Sequence, residues 1–277
     1  MGKGECWWIT GASSGIGEAL AVALAAQGAR LILSGRNVAE LDRVAALCGG
    51  ADSALVLPFE TTDHAALPGA VAAALAWAGR IDALVNNAGI SQRSLATETD
   101  FSVYERIVAV DLLAPIALTQ AVLPHMIAAG GGRIVAISSV AGVAGVPMRS
   151  AYCAAKHGLI GYSDALRAET AHLGIQVHVV APGSIATNVS RNALTGSGER
   201  RGQSDAIIDN GMSPAVAAET MLAAFEAGQR ELILAEGAEL GIAQLRRSDP
   251  EALFDRMAGM VAAGYAERMK AEAQASN

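Results

Sequence analysis

Short uninterrupted apolar runs alternate along this chain with longer alanine-rich stretches. The runs at 6–10, 30–34, 54–59, 83–86, 133–138, 176–181 and 231–234 carry Val, Ile, Leu and Trp with few polar positions. One-sided strands would alternate apolar and polar residues, so continuous runs predict strands buried on both faces. The stretches between them, such as 19–26, predict helices. Strand and helix in strict alternation predict an α/β fold: a doubly wound parallel sheet of about seven strands, helices on both faces. No repeat or linker interrupts the pattern, so 1–277 reads as one domain. The one long irregular stretch is 184–212, rich in Ser, Asn, Gly, Arg and Asp. Near the C-terminus, in 249–275, Leu253, Met257, Met260, Val261 and Tyr265 recur at helical spacing and predict one extra amphipathic helix. Docking on the core, capping a cleft and packing on a second subunit all remain open for it.

The 277 residues carry 20 Lys and Arg against 27 Asp and Glu, a net charge of −7. This acidic balance, with no basic run, argues against nucleic acid as a partner. No apolar run reaches membrane-spanning length once the turns are removed, which predicts no membrane span. A short polar lead runs straight into the first strand, leaving no room for a signal peptide or anchor. Cys6 stands where myristoylation of a Met1-Gly2 start favours Ser or Thr. Cys6, Cys48 and Cys153 are unpaired in spacing and predict reduced thiols in a cytoplasmic setting. The five histidines are scattered, and no metal site is expected.

The candidate chemistry lies at 133–156. A strand ends in Ser138-Ser139, a glycine-rich turn follows, and a helix opens with Ala151-Tyr152. Tyr152 and Lys156 are four apart and share a helical face. A free phenol titrates at about pH 10, and a nearby ammonium favours its ionised form. With a serine hydroxyl to hold a substrate oxygen, this trio suits acid–base work on a carbonyl/alcohol pair. Thr10-Gly11-Ala12-Ser13-Ser14-Gly15-Ile16-Gly17 follows the first strand and opens a helix. Its glycines permit a tight turn, close approach of backbone to a pyrophosphate, and helix–strand packing. The amides at the helix start, with Ser13, Ser14 and Ile16, make a phosphate cradle, and the fold is therefore expected to be Rossmann-like. The second strand ends Ser34-Gly35-Arg36. The acidic residue that would accept from a ribose 2′-hydroxyl is missing there, and Arg36 suits a 2′-phosphate, which points to NADP(H).

Together, Gly11-x-x-x-Gly15-x-Gly17, Asn86-Asn87-Ala88-Gly89, Ser139, Tyr152-x-x-x-Lys156 and Pro182-Gly183 resemble the short-chain dehydrogenase/reductase family over about 6–234. The residues 146–152 and 188–202 resemble the branch around dehydrogenase/reductase member seven and its soluble bacterial relatives. The resemblance implies that Ser139 polarises a carbonyl, Tyr152 transfers the proton, and Lys156 holds the nicotinamide ribose. It makes Asn87 a cofactor neighbour, sets Ile185 and Thr187 against the nicotinamide, and makes the stretch from Asn188 to Met212 a substrate lid. Glu60 and Thr61 stand at the adenine edge, where the family usually has Asp and an aliphatic residue. Asp111 stands where the family usually has an asparagine whose backbone holds a water leading from the lysine. Asp111 is counted with the catalytic group, acting either through its carboxylate beside Lys156 or through its backbone alone. The expected activity is NADP-dependent interconversion of a ketone or aldehyde and an alcohol by a homodimer or homotetramer. The expected interfaces are the helical regions 101–129 and 150–174. A non-catalytic dinucleotide sensor or scaffold, and an epimerase or dehydratase on the same fold, are the alternatives.

Overall fold

The computed structural model describes residues 3–275, and only the backbone of 272–275. Met1 and Gly2, with the myristoylation reading made there, and Ser276 and Asn277 lie outside the described residues.

The elements follow in chain order: β1 Cys6–Thr10, α1 Gly15–Ala26, β2 Arg30–Ser34, α2 Val38–Leu47, β3 Ala54–Val56, α3 Leu67–Ala78 and β4 Ala83–Asn86. A long helix comes next, in three pieces: α4 Phe101–Val108, a π turn Ala109–Leu113, and α5 Ala114–Ala128. Then come β5 Gly132–Ile137, α6 Ser150–Thr170, β6 Ile175–Pro182, α7 Ala206–Asp209, α8 Pro214–Glu226, β7 Glu231–Leu234, α9 Gly237–Ser248, α10 Pro250–Ala262 and α11 Tyr265–Ala275. The seven strands form one parallel sheet in the order β3-β2-β1-β4-β5-β6-β7. The strand order reverses between β1 and β4, where the loops on either side diverge and open a crevice.

Successive residues of β1 point to opposite faces, so each face has its own core. Trp7 and Ile9 pack with Leu20, Leu24 and Phe225 under α1 and α8. Trp8 packs with Leu84, Val122 and Leu166 under α3, α5 and α6. The Trp8 indole is fully buried yet satisfied, donating to Ser34 Oγ at 2.8 Å. Burying one large aromatic side chain stabilises the fold by about 1.5–3 kcal/mol.

Three sequence expectations change. The third strand stops at Val56, not residue 59. Leu57 makes the last backbone bond, to Leu33, and Pro58 has no N–H to continue the ladder. The C-terminal piece 249–275 is two helices, not one. The segment 237–248 is a helix of its own, and the next is broken at Gly264, which takes φ +81°. Leu253 and Ala266 are buried in their own chain, and Lys270 pairs with Glu98 at 2.6 Å. Finally, α4, the π turn and α5 run on as one helix, Phe101–Ala128, whose 28 residues are long and apolar enough to cross a membrane by length and composition. The sequence pattern predicts no apolar run of that length once the turns are removed, but no non-helical turn interrupts 101–128. Pro115 stands just after the π turn inside this continuous helix and does not end it. Leu118, Val122 and Met126 of this helix are buried in the sheet core.

Candidate active site

A cleft of about 440 Å³ runs across the C-terminal ends of β1, β4, β5 and β6. Its walls bring together residues spread from Gly11 to Asn192 along the chain.

At one side is the glycine turn. Gly11 and Gly15 have φ of +65° and +60°, a conformation L side chains rarely adopt. Gly11, Ser13, Ser14, Gly15 and Ile16 line the cleft. Ser14 precedes α1 and caps none of its amides with its side chain, so the first-turn N–H groups are available to an anion. Gly17 does not line the cleft: it is buried behind the turn, where a Cβ would strike the Gly11 carbonyl and sit 2.6 Å from Asn87 Nδ2. It lets helix and turn close together instead of lining the wall. Thr10, missed in the sequence, holds this corner. Its hydroxyl accepts from the amides of Asn87 and Ala88 at 3.0 and 3.1 Å. Asn87 Nδ2 donates to the carbonyls of Thr10 and Gly11 at 2.9 and 3.2 Å, tying β4 to the glycine turn.

At the far edge, Arg36, Glu60 and Thr61 line the cleft as expected. Arg36 lies 3.7 Å from Glu60 Oε2, both exposed. The reading that no carboxylate competes with Arg36 therefore holds for the end of β2 but not for the space beside it, which the loop after β3 fills with Glu60. Exposed pairs of this kind are weak and open readily.

On the opposite side, β5 delivers Ser139 and α6 delivers Tyr152 and Lys156 into the same cleft. Ser139 is held in extended backbone, its hydroxyl accepting from Ala141 N at 3.1 Å and donating to Pro182 O at 3.3 Å. Ser138, its neighbour, is buried and donates to the Lys156 carbonyl at 3.0 Å, which fastens α6 to β5. The start of α6 is fixed by Gln92, whose Oε1 accepts from Ala151 N at 2.9 Å, and by a turn strained at Met148, where φ is +63°. Lys156 is buried, its ammonium donating to Ile137 O at 2.9 Å and lying 5.6 Å from the Tyr152 ring. Asp111, from the π turn, is fully buried. Its Oδ2 lies 3.2 Å from Lys156 Nζ, and its Oδ1 accepts from Ile90 N at 2.9 Å. Of the two readings of Asp111, the side chain makes the contact. Burial disfavours the charge on Lys156, but the Asp111 carboxylate and then Tyr152 outweigh it, leaving the ammonium's pKa above its ordinary value. Burial also pushes the Asp111 carboxyl up, against the pull of Lys156.

Ile185 and Thr187, after β6, line the cleft between the two sides. The turn before them is clamped by Glu239 of α9, which accepts from Ser184 N at 2.6 Å and Ser184 Oγ at 2.9 Å. Asn188, Val189 and Asn192 of the lid also face the cleft. The stretch 188–212 is pinned by Asp205, which is buried and pairs with Arg93 at 2.7 Å, with Arg201, and with Arg149 at 3.8 Å. This latch was not foreseen: its members are scattered over a hundred positions. Cys153 is buried against Val146, and His157 turns away from the cleft to its own helix carbonyl. Among the described residues no cluster of His, Cys, Asp or Glu could hold a metal.

The open α1 amides, the side-chain-free glycine wall and the arginine at the far edge fit a long anionic dinucleotide. Its reactive end would lie beside Ser139, Tyr152 and Lys156.

The model of the short chain dehydrogenase family matches residues 5–197. Human dehydrogenase/reductase SDR family member 7 is 45% identical over 195 residues, which cover 68% of this chain and 58% of that protein. The match thus spans less than two thirds of the human relative's length. An Anopheles gambiae dehydrogenase/reductase SDR family protein 7-like is 40% identical over 258 residues, 91% of this chain and 81% of the relative. The Bos taurus member 7B is 38% identical over 257 residues, 90% and 79%. Among solved structures, a short-chain dehydrogenase from Streptomyces avermitilis has a TM-score of 0.74 at 30% identity, covering 98% of this chain and 97% of its own. One from Burkholderia phymatum, in complex with NAD, has a TM-score of 0.80 at 21% identity, covering 91% and 95%, a likeness of fold.

Proposed function

The chain belongs to the short-chain dehydrogenase family of oxidoreductases, and from that premise we propose that it interconverts a ketone or aldehyde and an alcohol with NADP(H). The observation that carries this reading is one cleft lined by Ser139, Tyr152 and Lys156 on one side and by the glycine turn on the other. A bound nicotinamide supplies the hydride chemistry. The chain's own residues do the rest. The amides opening α1, with Ser13, Ser14, Gly15 and Ile16, hold the pyrophosphate. Arg36, now 3.7 Å from Glu60, would hold the 2′-phosphate, a dianion that should outcompete a single exposed carboxylate. Glu60 and Thr61 edge the adenine, Asn87 walls the ribose, and Ile185 and Thr187 orient the nicotinamide. Ser139 donates to the substrate oxygen and Tyr152 gives it a proton in reduction, or takes one in oxidation. Lys156 keeps its ammonium toward the ribose and the phenol. The enzyme is proposed to act on small carbonyl compounds in the cytoplasm, as a homodimer or homotetramer joined through α4–α5 and α6.

The test is a pair of binding titrations, NADPH and NADH, on wild type and Arg36→Ala. NADPH should bind at least tenfold more tightly to wild type, and Arg36→Ala should erase most of the difference. Equal affinities for wild type would remove the NADP assignment.

A further inference from the structure

Asp111 sits in the π turn between α4 and α5, where the extra residue per turn displaces the backbone and brings a carboxylate inward. No part of it reaches solvent. One oxygen is spent on Ile90 N; the other meets Lys156 at 3.2 Å. An ammonium buried alone in this position would be costly, and so would a carboxylate; each is tolerated because the other is there. The pairing has an electrical consequence for the third member of the group. A carboxylate 3.2 Å from the ammonium turns the field of a single charge into that of a dipole, which weakens faster with distance. The Tyr152 ring lies 5.6 Å from Lys156 Nζ, within the range where this matters.

We propose that Asp111 is a positioning residue, a built-in counter-ion to Lys156 that makes Tyr152 face a neutral pair instead of a bare ammonium and so moves the working pH of the site upward. The proposal rests on the reading of Tyr152 as the proton-transfer group. Other charged or titratable groups stand near the trio: in the segment 188–205 Arg201 is tied to Asp205, and Glu239 of α9 is tied to Ser184. Arg106 lies on α4, in the cleft wall. Tyr104 of α4 is bonded to Ser150 at 2.7 Å. On α6 and at its start, Arg149 is tied to Asp205, Cys153 to Val146, and His157 to its own helix. The ends of β4 and β5 contribute only amides, carbonyls, hydroxyls and the Asn87 side chain there. Among the described residues none of these forms an ion pair with Lys156; Asp111 does, and is buried.

The test is a spectrophotometric titration of tyrosinate in the cofactor-free protein, which has four tyrosines. The Tyr152 signal is isolated by subtracting the corresponding Tyr152→Phe protein, first in wild type and then in Asp111→Asn. In Asp111→Asn the Tyr152 signal should rise about one pH unit lower than in wild type. Asp111→Ala, which also lacks the charge but cannot cap Ile90 N, should shift the same way even where it costs stability. An unchanged midpoint in both variants, or a shift to higher pH, would overturn the counter-ion role, since a merely structural contact would lower stability without moving the titration. Because no substrate or cofactor is used, this result stands apart from the fate of the proposed activity. If that activity holds, the rise of the alcohol-oxidation rate with pH should move downward with the titration.

Discussion

The residues closest to the chemistry were the most legible in the sequence. Ser139, Tyr152, Lys156 and the glycine turn lie on a strand end, a helix face and a strand-to-helix turn, positions that local spacing defines. What the sequence left open depended on side chains meeting across the fold. Asp111 and Lys156 are 45 positions apart in numbering and 3.2 Å apart in space, and only the packing of the π turn on α6 brings the carboxylate there. Arg36 and Glu60 were each read as cofactor contacts and both line the cleft, but they were not read as each other's partner. That pairing gives a prediction. Glu60→Gln frees Arg36 and should tighten NADPH about two- to fivefold while leaving NADH nearly unchanged, the size expected for an exposed pair. Parallel titrations of the two nucleotides check it; a matching gain for NADH would mean Glu60 acts on the shared part of the ligand.

Among the elements, strands were easier to read than the helices that follow them. Seven apolar runs gave seven strands, and only Pro58 shortened one. The C-terminal helices were misread as one because apolar spacing continues across Gly264, whose left-handed backbone turns the chain. The lid was read as an irregular stretch, yet its fastening to Arg93 and to the start of α6 could not be, since no local pattern encodes a long-range ion pair. Asp205→Asn removes the carboxylate that pairs with Arg93, Arg149 and Arg201 and should lower folding stability by about 3–5 kcal/mol. Chemical denaturation of the two proteins measures it, and a loss below about 1 kcal/mol would show that the latch holds little. The pH dependence follows from the same group. Burial alone would raise the Asp205 carboxyl, but Arg93 and Arg201 hold it below the ordinary carboxylate range. A depressed pKa means the latch's contribution is complete above about pH 4 and is lost as pH falls through the folded value. The stability difference between wild type and Asp205→Asn should therefore be constant near neutrality and shrink in strong acid.

At the scale of the molecule, one parallel sheet with its order reversed between β1 and β4 gathers both halves of the site at one edge. The C-terminal helices support that edge from behind: Glu239 of α9 grips the turn that carries Ile185 and Thr187. The exposed Phe101 on α4, stacked on Tyr104, lies on the side proposed to join subunits. Light scattering should give two or four times the 28.2 kDa chain mass, and a monomer at micromolar concentration would exclude that assembly. The central claim is proton transfer by Tyr152 in a nicotinamide-dependent carbonyl reduction. Its most direct measurement is NADPH consumption against a panel of small ketones and aldehydes by wild type and Tyr152→Phe, with NADPH binding followed alongside. The account predicts turnover of at least one carbonyl by wild type, a loss of at least a hundredfold in the variant, and nearly equal NADPH affinity. Turnover that survives in Tyr152→Phe, or NADPH binding with no carbonyl reduced by wild type, would contradict it.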